Sequence, residues 1–85
     1  MKNRIIIVIS VFDRVKEIGR TQKLLSEYSG LIKTRLGFHE VSEDVCSRKG
    51  IILLELKGEE NEINLFLIKL SEIGGIEVQK MIFDL

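Results

Sequence analysis

The hydrophobic positions change their spacing several times along the chain, and each change marks a predicted element. Residues 4–12 (RIIIVISVF) form a β-branched run that predicts a first strand, and Asp13 after it can cap a helix. Over residues 14–28 the apolar side chains recur at helical spacing, and Gly30 is placed as a C-terminal stop. The chain therefore opens with a strand followed by a helix.

The rest of the chain predicts two further strands, a second helix and a last strand. Residues 31–41 and 51–57 have strand patterns, and residues 42–49 between them form a polar connection. Residues 59–73 predict a helix with acids in its first turn, where the helix dipole favours them. Residues 76–83 predict the final strand, so the element order is βαββαβ.

An internal repeat agrees with this order. A shift of 45 residues without a gap places residues 25–31 (LSEYSGL) on residues 70–76 (LSEIGGI). The identities are few, so chance is an alternative explanation of the repeat itself. Two βαβ halves related by a pseudo-twofold axis make up the ferredoxin-like fold. We therefore predict one α+β domain over residues 1–85, a ferredoxin-like sandwich with a four-stranded antiparallel sheet and two helices on one face.

The apolar content of the strands predicts their places in the sheet and the role of each face. The first and third strands are the most apolar and should be central, whereas the second and fourth carry charged residues that suit edges. Alternation assigns one face of the central pair to the helices: Ile5, Ile7, Ile9, Val11, Ile52, Leu54 and Leu56. The opposite face carries an apolar stripe: Ile6, Val8, Ile51 and Leu53. On so small a domain, that stripe predicts the interface of a homo-oligomer, a dimer or a tetramer.

The charge balance argues against two classes of partner. The 13 basic and 13 acidic residues cancel, so the field that steers proteins to nucleic acids or anionic membranes is missing. The apolar run over residues 5–11 is too short for a membrane span and lacks a cleavage site, so it is a strand and not a signal. A single cysteine fits the reducing cytoplasm, which is the expected location.

His39 and Cys46 are candidate metal ligands because they lie in or beside the polar connection with acidic residues near them. One histidine and one cysteine per chain would suffice only if an oligomer brought copies together, and a solvated loop is the alternative. A nucleophile, a base and an orienting group cannot be assembled from these residues. We therefore expect a protein that is not an enzyme, with no catalytic residues and no cofactor.

The whole chain resembles the small ACT-like proteins known as iron-only hydrogenase system regulators. The similarity lies in the first strand running into residues 11–14 (VFDR), in residues 24–28 (LLSEY) with 32–37 (IKTRLG), and in residues 49–58 (KGIILLELKG). A glycine followed by branched aliphatic residues at 75–78 (GIEV) continues it. The resemblance implies a ferredoxin-like, oligomeric, non-catalytic regulator that exerts transcriptional or assembly control of an iron-only hydrogenase system.

The same resemblance points to a ligand site. Residues 11–14 are similar to the start of the ACT ligand loop, which makes Asp13 and Arg14 candidate contacts for a small amino acid between subunits. Val15 and Lys16 stand where that loop has proline and glycine, so a plain helix cap at Asp13 is the alternative. An amino-acid or metal sensor with a site between subunits, and a module that binds only protein, remain alternative functions.

Overall fold

The computed structural model describes residues 3–12, 14–41 and 46–84; for residues 3, 14–18, 38–41 and 46–49 it describes the backbone. The elements are β1 (Asn3–Val11), α1 (Arg14–Glu27), a 3₁₀ turn (Ser29–Leu31), β2 (Ile32–Val41), β3 (Cys46–Leu56), α2 (Glu60–Ser71) and β4 (Ile76–Asp84). This order confirms the predicted βαββαβ fold. Among the described residues, no helix is long and apolar enough to cross a bilayer.

The sheet is antiparallel throughout and has the strand order β2-β3-β1-β4. The two apolar strands are central and the two charged strands form the edges, as predicted. Ile7 pairs with Leu54 of β3 on one side and with Lys80 of β4 on the other. A bulge in β2 between Ile32 and Thr34 shifts its register against β3. These registers place the side chains of all four strands on one face or the other.

The predicted polar connection over residues 42–49 is wrong in its second half. β3 already begins at Cys46, which pairs with Val41 of β2, and residues 42–45 lie outside the described residues. Antiparallel pairing supplies hydrogen bonds to the backbone N–H and C=O groups whatever side chains the residues carry. Polar residues can therefore extend a hairpin as well as apolar ones. Gly50, the partner of Val11 at the end of β1, also pairs with His39, and the hairpin continues beyond that point.

The core lies between the sheet and the two helices. The predicted helix-facing residues of β1 and β3 are buried, apart from Ile5, which is partly buried at the end of the sheet. The helices contribute Leu24 and Leu25 from α1 and Ile63, Phe66 and Leu70 from α2. Thr21 of α1 is also fully buried, which the apolar pattern did not predict. Leu25 and Leu70, which the internal repeat superimposes, both have less than 2% of their surface exposed.

The two helices meet through an aromatic contact. The ring centroids of Tyr28 and Phe66 are 5.1 Å apart with the planes tilted by 35°. Lys69 Nζ lies 5.4 Å from the centroid of the Tyr28 ring, and a hydrogen bond with Tyr28 raises the pKa of this lysine. Offset aromatic pairs and a cation over a ring face are both favourable arrangements. The end of α1 is thereby fixed against α2.

Candidate functional site

The side of the sheet that faces away from both helices is not part of the core. We call it the open face. Its described residues are Arg4, Ile6, Val8 and Ser10 on β1, Thr34 and Leu36 on β2, Ile51, Leu53 and Glu55 on β3, and Glu77, Gln79, Met81 and Phe83 on β4. Both helices lie against the other face, so these residues form a continuous surface outside the core.

Apolar side chains cross the open face along one diagonal. They run from Leu36 at the β2 edge through the centre of the sheet to Met81 and Phe83 at the β4 edge. The members on the edge strands are strongly exposed, with 56% of Leu36, 46% of Met81 and 50% of Phe83 accessible. The central members are partly shielded by their neighbours. We call this band, with Ile6, Val8, Ile51 and Leu53 at its centre, the apolar diagonal.

One corner beside the apolar diagonal carries an ionic cluster. Arg4 Nε donates a hydrogen bond to Glu55 Oε2 at 2.8 Å, and Lys33 Nζ lies 4.0 Å from the same oxygen. The hydrogen bond from Arg4 lowers the pKa of Glu55, and the charges of Arg4 and Lys33 and a hydrogen bond from Thr34 act in the same direction against partial burial. Because two cations surround one carboxylate, this corner has a net positive charge, and we call it the basic corner (Arg4, Lys33 and Glu55).

The opposite corner is polar and acidic. Glu77 and Gln79 lie at the start of β4, and Gln79 Nε2 donates a hydrogen bond to Glu77 Oε2 at 2.8 Å. Ser10 of β1 is the register partner of Glu77 and completes the corner. The acidic corner and the basic corner therefore lie on opposite sides of the apolar diagonal, and they carry opposite charge.

A second exposed apolar pair lies on α2. Leu65 and Ile68 are 47% and 57% accessible, and they are on the side of the helix opposite to Ile63, Phe66 and Leu70. Helical spacing alone places both residues off the main apolar face of α2. The pair is small, whereas the open face combines many apolar positions with charged ones.

The four residues that the sequence proposed for an interface, Ile6, Val8, Ile51 and Leu53, all lie on the open face. Sequence reasoning did not identify Leu36, Met81 and Phe83, which extend the same surface onto the edge strands. Alternation within β4 could have identified Met81 and Phe83 once the pairing with β1 was assumed. Leu36 could be assigned to this face only with knowledge of the β2 bulge, and no pattern of residues in the sequence indicates that bulge.

The other candidate site residues are placed only in part. Asp13 lies outside the described residues, and Arg14 is described by its backbone, at the start of α1. His39 lies on β2, where a strand was predicted, and pairs with Gly50, whereas Cys46, expected in the polar connection, begins β3 and pairs with Val41. Within the part of the chain that the structure describes, no group of three or more His, Cys, Asp or Glu could hold a metal.

Comparison with solved structures supports a family assignment. No protein-family model and no curated protein match the chain. The structure of uncharacterized protein TM1266 from Thermotoga maritima is similar, with a TM-score of 0.80 and 30% sequence identity. The alignment covers 98% of this chain and 100% of that chain. The chain therefore belongs to the same protein family as TM1266 of Thermotoga maritima.

Proposed function

We propose that this protein is a non-catalytic regulatory module that acts as a homo-oligomer and associates through the open face of its sheet. The observation that carries the proposal is the apolar diagonal, which leaves Leu36, Met81 and Phe83 about half exposed on one continuous surface. Contiguous apolar patches rimmed by polar groups mark interaction sites on small soluble domains. A second copy of the chain is the proposed occupant.

The size of the open face fits a weak, reversible association. With strands about 4.8 Å apart and same-face residues about 6.8 Å apart, its described positions cover about 400 Å² per protomer. Two apposed copies then bury about 800 Å², which is below the roughly 1,200 Å² of stable specific interfaces and within the range of weak, transient ones. A complex of this size exchanges readily between its free and associated states, as a regulatory element needs.

Regulation requires an effector that distinguishes those states. A ligand or protein that binds the dimer and the monomer with different affinity shifts their populations by that difference alone. The resemblance to iron-only hydrogenase system regulators supports a role in transcriptional or assembly control of such a system in the cytoplasm. Deleting the coding sequence in a host that carries an iron-only hydrogenase is expected to change hydrogenase transcript or activity levels, and unchanged levels would contradict that role.

The association is tested by the solution mass of three proteins. Wild type is expected to approach dimer mass in sedimentation at micromolar to millimolar concentration. Leu36→Lys combined with Met81→Lys puts two charges on the apolar diagonal and is expected to stay monomeric, because burying an unpaired ammonium is costly. Both positions are exposed, so the variant is expected to fold.

A matched control separates the two exposed apolar surfaces. Leu65→Lys combined with Ile68→Lys adds the same charge on the outer side of α2, also at exposed positions. This variant is expected to associate like wild type. If it becomes monomeric while the open-face variant associates normally, the interface lies on α2 and the proposed surface is wrong.

A further inference from the structure

The outer edge of β4 is regular, and its C-terminal half carries apolar side chains on both faces of the sheet. β4 pairs with β1 over its whole length without a register shift, and an edge strand of this kind offers its outward N–H and C=O groups to another strand. Residues 79–84 are all exposed. Met81 and Phe83 are on the open face, whereas Ile82, 50% accessible, is on the helix side. Stacking of two open faces would therefore leave Ile82 uncovered.

The other edge of the sheet is interrupted. The pairing of β2 with β3 contains two register shifts, one of them the bulge between Ile32 and Thr34. Arg35 of β2 donates a hydrogen bond to the Gln22 side chain of α1, which places a charged group beside this edge. Bulges and charged side chains are features that keep an edge strand from pairing with another chain. β4 is therefore the edge that is better suited to receive a further strand.

Symmetry restricts how two copies of β4 can pair. A twofold axis perpendicular to the sheet relates them as antiparallel neighbours and joins the two sheets into one of eight strands. The axis keeps each side chain on its own face of the sheet. One residue of β4 must then lie opposite its own copy, because a slip by one residue would oppose side chains from different faces. The choice of this central residue fixes all the other pairs.

The charge of Lys80 discriminates between the possible central residues. With the centre at any of the four positions before Ile82, Lys80 lies opposite an apolar side chain or its own copy. With the centre at Ile82, Lys80 lies opposite Asp84, and symmetry repeats this pair. Met81 then lies opposite Phe83, also twice, and Ile82 meets its own copy. Pairs of opposite charge and pairs of apolar side chains are the cross-strand pairs that stabilise a sheet.

We propose that two copies of this chain associate edge to edge by antiparallel pairing of β4 over residues 80–84, about a twofold axis at Ile82. The open faces of both copies then lie on the same side of an eight-stranded sheet and stay accessible. This second interface goes beyond the proposed function and does not depend on it. The two interfaces together would build a tetramer.

Charge reversal on β4 tests the pairing in a background that weakens the open-face contact. Leu36→Lys is on β2, so a dimer that remains in this background is attributed to β4. Lys80→Glu or Asp84→Lys then turns two attractive cross-strand pairs into repulsive ones, and the dimer dissociation constant is expected to rise about tenfold in sedimentation equilibrium. The double variant Lys80→Glu with Asp84→Lys restores opposite charges and is expected to associate within about threefold of the Leu36→Lys protein.

Lys23→Glu and Glu27→Lys are the matched controls, because both residues are exposed on α1 and the changes in net charge are the same. Neither is expected to change the dissociation constant. Single reversals on β4 without effect, or a double variant that associates no better than the single ones, would overturn the pairing.

The same proteins separate this inference from the proposed function. If wild type associates and Leu36→Lys is monomeric up to millimolar concentration, the open-face interface stands and the β4 pairing is wrong. If Leu36→Lys associates as tightly as wild type and the β4 reversals weaken it, the β4 pairing stands and the open-face interface is wrong. A wild type that stays monomeric overturns both.

Cross-linking tests the position of the axis. Directly opposite residues of an antiparallel pair have Cα atoms about 4.5–5.5 Å apart, within the range that a disulfide spans. Ile82→Cys in a Cys46→Ser background is therefore expected to form a disulfide-linked dimer on oxidation with diamide. Ile68→Cys in the same background is the control, since Ile68 is 57% accessible on α2. It is expected to cross-link at least tenfold more slowly, and equal rates would overturn an axis at Ile82.

Discussion

Gly58, between β3 and α2, is a position where the backbone restricts the sequence. Its φ is +120°, in a region that residues with a Cβ rarely adopt. A Cβ built on it lies 2.8 Å from Leu31 Cδ2, and Leu31 is a core residue with 6% of its surface exposed. The main chain is also held there, since the amide of Lys57 donates to the carbonyl of Leu31 at 2.8 Å.

Gly58→Ala is therefore expected to destabilise the fold through two additive effects. An unfavourable φ costs about 1–3 kcal/mol, and displacing Leu31 from a packed core costs about 1–3 kcal/mol. The expected loss of unfolding free energy is about 2–6 kcal/mol, a large share of what a domain of this size has. Urea unfolding followed by circular dichroism measures it, at one fixed protein concentration because dimerisation stabilises the native state.

Gly19→Ala is the matched control. Gly19 is an exposed residue of α1, and a Cβ at this position would meet no atom within 4 Å, so alanine is expected to stabilise the protein by about 0.5–1 kcal/mol. In a Leu31→Ala background the contact with Leu31 Cδ2 is absent. The loss of unfolding free energy caused by Gly58→Ala should then fall to the part that comes from the unfavourable φ. A loss below about 1 kcal/mol for Gly58→Ala alone would refute the reasoning.

Two further predictions concern the core and the ionic cluster. Phe66→Ala is expected to cost about 3–5 kcal/mol in urea unfolding, because the ring is fully buried against Tyr28; a loss below about 1 kcal/mol would contradict that packing. The pKa of Glu55 is lowered in the folded state. Its contribution to the free energy of unfolding is therefore complete above the unfolded pKa of about 4.3, and it is lost as pH falls through the folded pKa. The stability difference between wild type and Glu55→Gln should therefore shrink in that acidic window, and a difference that stays constant down to about pH 2 would contradict the Arg4 contact.

The fold could be predicted from the sequence because its elements differ strongly in hydrophobic spacing. The apolar runs of β1 and β3 identified the central strands, and alternation separated the buried Ile7 and Leu54 from the open-face Val8 and Leu53. The start of β3 could not be predicted, because its first residues are polar and their backbone is satisfied by pairing with β2 rather than by any side-chain pattern.

The candidate site was predicted only in its central part. Which residues share a face across strands depends on register, and the bulge between Ile32 and Thr34 sets the register of the β2 edge. The charged corners also arise from register, because Lys33 and Glu55 are distant in sequence and meet only through strand pairing. A single sequence contains the residues of such a surface but not their arrangement.

Association of two copies of this chain through the open face is tested most directly by sedimentation equilibrium. Wild type and the variant Leu36→Lys with Met81→Lys are measured side by side over the same micromolar to millimolar range. The wild-type mass is expected to rise from monomer toward dimer with concentration, whereas the variant mass stays at the monomer value. Equal masses for the two proteins at every concentration would contradict association through this face.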